Sequence, residues 1–86
     1  MLIGAMNYPL ADLGAEIERI AADGFDFVDL TLEPERAMPA DLDPVDVRRR
    51  LGETGLRAVG HTAYYLPIVS PIPVLKEAAF AYFRQC

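Results

Sequence analysis

Ala22-Asp23-Gly24-Phe25-Asp26-Phe27-Val28 and Glu53-Thr54-Gly55-Leu56-Arg57-Ala58-Val59 share one plan: glycine, apolar, polar, apolar, valine. In each copy the glycine closes a helical pattern and the residues after it read as a strand, because glycine takes the left-handed backbone of a helix C-cap at little cost. A strand-plus-helix unit that recurs after roughly 30 residues implies parallel strands joined by helical crossovers, as in a βα barrel or a doubly wound sheet.

The flanking sequence extends this pattern. Residues 1–6 form an apolar run bounded by Asn7 and Pro9, the pattern of a strand buried on both faces. Leu10, Leu13, Ile17, Ile20 and Ala21 fall on one helical stripe, with Asp12, Glu16, Glu18 and Arg19 mostly off it, so a helix is predicted near 10–23. Residues 25–32 are rich in aromatic and β-branched side chains and read as strand two, broken by Glu33-Pro34-Glu35-Arg36; residues 37–42 read as a loop. Asp43-Pro44 supplies an N-cap and a first-turn proline, with Asp46 at N3, so a second helix covers 44–54 with a thin apolar stripe. A third strand occupies residues 56–61. Ser70-Pro71 opens a third helix, near 71–85, whose apolar side is Leu75, Ala78, Ala79, Tyr82 and Phe83. The fold expected is a single α/β domain over 1–86, three βα units of a partial (β/α)8 TIM-type barrel with parallel strands. Three strands leave open sheet edges, which implies either truncation relative to the parent fold or self-association through those edges.

Composition narrows the function classes. The chain has 86 residues, 52% of them hydrophobic, a net charge of −5 and a pI near 4.6. That balance disfavours nucleic acid and anionic membrane as partners, since both require a surplus of Lys and Arg on one face. The only basic run, residues 48–50, lies among Asp43, Asp46 and Glu53 and reads as a solvated, locally neutralised helix face. One cysteine, Cys86, allows no internal disulfide, and neither a membrane-spanning run nor a secretion signal is found; a soluble cytoplasmic protein is expected.

Candidate chemistry gathers at strand ends, where α/β folds bind ligands. His61, the single histidine, closes strand three and is read either as a metal ligand or proton carrier or as a hydrogen-bonded strand-end imidazole. Glu33 closes strand two, and a parallel sheet brings it near His61; the alternative is an exposed carboxylate before a proline. Asp29 lies inside the apolar part of strand two, where a carboxylate requires a partner; a functional role stands beside pairing with Arg57 or Lys76. Asn7 is placed to hydrogen-bond a sugar hydroxyl or to shape the turn before Pro9. Tyr64 and Tyr65 supply an apolar wall and a phenol, or pack in the core. No phosphate loop, zinc-finger spacing or nucleophile elbow is present.

The run Gly24-Phe25-Asp26-Phe27-Val28-Asp29-Leu30, the loop Thr31-Leu32-Glu33-Pro34 and above all Gly60-His61-Thr62-Ala63-Tyr64-Tyr65-Leu66-Pro67-Ile68 resemble the first third of sugar phosphate isomerase/epimerase proteins. These are xylose isomerase-like TIM barrels, a superfamily that includes endonuclease IV. The resemblance spans nearly the whole chain but about three of a barrel's eight strands. It implies an acid at Asp29 and a histidine at His61 facing the barrel mouth; Asn7, Tyr64 and Tyr65 are the substrate-contact candidates read from the residues themselves. It also implies a divalent metal (Zn, Mn or Mg) that polarises a carbohydrate substrate while carboxylates, here Glu33 and Asp29, move a proton between adjacent carbons. In endonuclease IV the corresponding histidine binds zinc. Here Pro67 stands where the nuclease has asparagine, and the chain is acidic, so sugar chemistry is ranked above phosphodiester cleavage. The family's principal metal-binding carboxylates come from later strands. Two alternatives accompany the isomerase reading: a non-catalytic small-molecule binding or assembly module, and an endonuclease IV-like phosphodiesterase.

Overall fold

The order of elements is strand, helix, strand, helix, strand, helix, with one short 3₁₀ turn. The computed structural model describes residues 1–34, 36–62 and 65–86, and the side chains of all of these except 61 and 62. The elements are β1 (Gly4–Met6), α1 (Leu13–Ala22), β2 (Phe27–Leu32), η1 (Pro39–Asp41), α2 (Pro44–Thr54), β3 (Arg57–Thr62) and α3 (Pro73–Phe83). The strands form one sheet in the order β1-β2-β3, and both pairings are parallel. This is an α/β fold with an open three-stranded sheet, the arrangement of a partial βα protein.

Local chemistry sets the element ends. The Asp12 carboxylate accepts from the Ala15 N–H at 2.9 Å, so α1 begins after Asp12 and not at Leu10. At its far end Phe25 N–H reaches the Ile20 carbonyl and Gly24 N–H the Ala21 carbonyl, the two bonds of a Schellman cap, with Gly24 at φ 85. That bond holds Phe25 outside the strand. Asp26 then ties the bottom of the sheet together, its N–H donating to the Ile3 carbonyl and its carboxylate accepting from the Ile3 N–H at 2.8 Å. Asp43 caps α2 through Val45, Pro44 takes the first turn, and Gly55 ends the helix at φ 69. The third helix starts two residues later than Ser70-Pro71 suggested, because the Ser70 hydroxyl accepts from Ile72 N–H in a turn of its own and Pro73 becomes the first-turn proline.

The core is one-sided. Leu13, Ile17 and Ile20 of α1 pack with Val28 of β2 and Leu56, and Leu30, Val47 and Leu51 close around them. Burying a side chain such as Ile17, Ile20 or Val28 is worth about 1.5–3 kcal/mol each. Since strand side chains alternate, Val28 and Leu30 on the helical face place Phe27, Asp29 and Thr31 on the other. The Phe27 ring lies over Gly4, where a Cβ would come within 2.2 Å of it. Between the helices, Arg50 spans Asp46 on its own helix and Glu18 on α1, at 2.9 and 2.8 Å, and crosses above Gly14.

The third helix is the least covered. Ala79 is its one buried residue, while Val74, Leu75, Phe80 and Phe83 are exposed, so the apolar side expected for it has little to pack against. It is anchored near its end, where the Tyr82 hydroxyl donates to Met38 Sδ and the Tyr82 ring tilts against that of Tyr65. On the sheet, Met6 and Val59 are 51% and 53% exposed. No described helix is long and apolar enough to cross a membrane.

Candidate functional site

Parallel pairing sends every strand to the same end. Met6, Asp29 and Val59 lie level across the sheet, and two residues further on, Thr31 is in register with His61. Asn7, Glu33 and the His61 backbone therefore share the carboxyl end, where the sequence gathered the candidate chemistry. The side chain of His61 and the whole of Tyr64 fall outside the described residues.

Asn7 is 1% exposed and is fully engaged. Its Oδ1 accepts from the Thr31 N–H at 2.7 Å and its Nδ2 donates to the Thr31 carbonyl at 3.1 Å. In a parallel sheet one residue offers both its N–H and its C=O to the same neighbouring strand. The Asn7 side chain thus stands in for a backbone rung and continues the β1–β2 ladder after β1 has ended.

Beneath that loop lies a carboxylate that the helical pattern had put on the polar side. Glu16 is buried; it accepts from the Tyr8 N–H at 2.8 Å and pairs with Arg19 at 2.9 and 3.0 Å. The Arg19 hydrogen bond outweighs the cost of burial and, with the Tyr8 amide, holds the Glu16 carboxyl below its ordinary range. Three residues after Leu13, Glu16 borders the buried stripe, so a folded-over loop suffices to cover it.

Asp29 is half-buried at the middle of β2, on the face away from α1 and α2. Glu33 is half-buried just past the strand, and its carbonyl accepts from Ala37 N–H. Tyr65 joins it there: the phenol donates to the Leu32 carbonyl at 3.3 Å. Burial pushes that phenol's pKa up, with the charge of Glu33 adding to it, so Tyr65 remains a neutral hydrogen-bonding group at neutral pH. The structure therefore brings Tyr65 and Glu33 to the end of β2, beside the Asn7–Thr31 rung.

A divalent ion is a separate matter. Protein metal sites of the zinc type use three or four side-chain ligands. Among the described residues no group of three or more His, Cys, Asp or Glu side chains is placed to hold one. Asp29 and Glu33 do not by themselves fit the metal that the resemblance implies.

No family model matches the chain, and no curated protein or solved structure matches it.

Proposed function

We propose that the chain is a carbohydrate-handling unit of the sugar isomerase/epimerase type, comprising the first three βα units of a xylose isomerase-like barrel. Asp29 and Glu33 are its proton-moving or hydroxyl-binding carboxylates, and His61 is a further polar contact or metal ligand. The observation that carries this reading is the parallel register, with Asp29 on the face away from the helices and Glu33, Tyr65 and the His61 backbone at one end of the sheet. A sugar presents several hydroxyls, and a rim of carboxylates and a neutral phenol offers acceptors and a donor for them. Calorimetric titration of the 86-residue protein with a panel of sugar phosphates, with and without Mn²⁺, tests the proposal. Saturable binding that Asp29→Asn or Glu33→Gln weakens supports it. Binding by no member of the panel, or binding indifferent to both substitutions, contradicts it.

A second reading, an assembly or binding module, draws on the open sheet. In the described residues β1 and β3 each pair only with β2, and Met6 and Val59 stand exposed. Sedimentation over a range of protein concentrations separates the two, since self-association predicts a mass that rises with concentration.

A further inference from the structure

On the helical side of β2, opposite the face that carries Asp29, an open cavity of about 320 Å³ lies between α1, α2, η1 and the residues Gln85 and Cys86 that follow α3. Leu13, Leu30, Leu32, Leu42 and Leu51 line it, and Arg48 is the one charged side chain among the lining residues. Its size falls at the lower end of the range of small-molecule sites, about 300–1,000 Å³.

The three consecutive arginines are not equivalent. Arg49 is held by Asp46 and Glu53, and Arg50 by Asp46 and Glu18. The nearby Asp43 carboxylate caps the helix through Val45 N–H. Asp46, Glu53, Glu18 and Asp43 are thus taken up by Arg49, Arg50 and the cap, whereas Arg48 makes no hydrogen bond or ion pair among the described residues. An exposed arginine with no hydrogen-bond or ion-pair partner among the described residues, beside a leucine-lined cavity, matches a ligand with an anionic head and an apolar tail. The guanidinium fork suits a carboxylate, which it can bind through two parallel hydrogen bonds.

We propose that this cavity is a binding site for a small amphipathic monocarboxylate, its chain lying among the leucines and its head group on Arg48. The site is independent of the sugar reading, because it uses the other face of β2 and different residues.

The test is an amide-resolved NMR titration of the 86-residue protein with octanoate and, in parallel, with 1-octanol. Both carry the same tail, and only one carries the charge. The expected result is saturable shifts at Leu30, Leu42 and Leu51 with either compound, and octanoate binding about tenfold tighter, the least that a charge-assisted hydrogen bond contributes. Arg48→Gln, at an exposed helix position, should remove the tenfold preference and leave octanol binding unchanged. Equal affinity for the two compounds, an unchanged preference in Arg48→Gln, shifts confined to the Met6–Val59 face, or no saturable shift would each overturn the proposal.

Discussion

Asn7 and Thr31, 24 positions apart in the chain, share two hydrogen bonds through which a side-chain amide replaces a strand's backbone. Both partners are buried, so neither Thr31 group has water to turn to if the amide is removed. Asn7→Ala should therefore cost about 2–4 kcal/mol, the penalty of leaving a buried donor and a buried acceptor unmet. Urea denaturation followed by circular dichroism measures it. A loss below about 1 kcal/mol, the scale of one ordinary net hydrogen bond, would show that the rung is replaceable.

Gly4 lies under the Phe27 ring. In most strand positions alanine outperforms glycine, since glycine loses more chain entropy on folding. Here a Cβ would approach the ring to 2.2 Å, and the ring is no flexible chain end that swings aside. Gly4→Ala is expected to destabilise by about 1–3 kcal/mol, the range for overpacked sites, and Phe27→Leu in the same chain should restore part of that loss. Thermal melts of the two single variants and the double variant complete the cycle.

Gly14 gives the contrasting case. Its missing Cβ would meet the Arg50 guanidinium at 2.6 Å, but that group is the end of a long side chain whose ion pairs face solvent. Helix propensity favours alanine by about 1 kcal/mol, and partly exposed ion pairs contribute little. Gly14→Ala should leave stability within about 0.5 kcal/mol of the parent protein, a near-cancellation of the helix gain against the displaced arginine. A chemical denaturation midpoint reads the difference.

Glu16 sets part of the acid limb of stability. Its carboxyl titrates below the ordinary value of 4.5 in the folded protein, chiefly because of Arg19. A depressed folded pKa contributes stability that is present in full above the unfolded value and is lost as pH falls through the folded one. Glu16→Gln should lower stability at pH 7 and flatten its decline below pH 4.5. Denaturation midpoints across that interval check the sign; a variant curve parallel to the parent's would contradict it.

Much of the fold could be read from single residues. Asp43-Pro44 and Gly55 bound the second helix where its pattern put them, because cap, first-turn proline and left-handed glycine act locally. Leu10 misled: it continues the apolar stripe, but the Asp12 carboxylate reaches Ala15 and starts the helix behind it. Phe25 misled similarly, since the Schellman cap claims its amide before the strand begins. Less visible were the groupings that depend on tertiary distance. Neither the Asn7–Thr31 rung nor the Glu16–Tyr8 contact has a periodic signature, and the uneven engagement of Arg48, Arg49 and Arg50 shows only once α1 lies beside α2. Of the candidate site, the shared strand end followed from the repeat, while the tie of Tyr65 to Leu32 required the fold.

The proposed function rests on the shared carboxyl end of three parallel strands, and amide-resolved NMR during a sugar phosphate titration addresses it most directly. The expected result is a saturable set of shifts at Asp29, Glu33, His61 and Tyr65, with Ile3, Asp26 and Leu56 at the opposite end unmoved. Shifts centred on Ile3, Asp26 and Leu56, or none at any concentration of the panel, would contradict it.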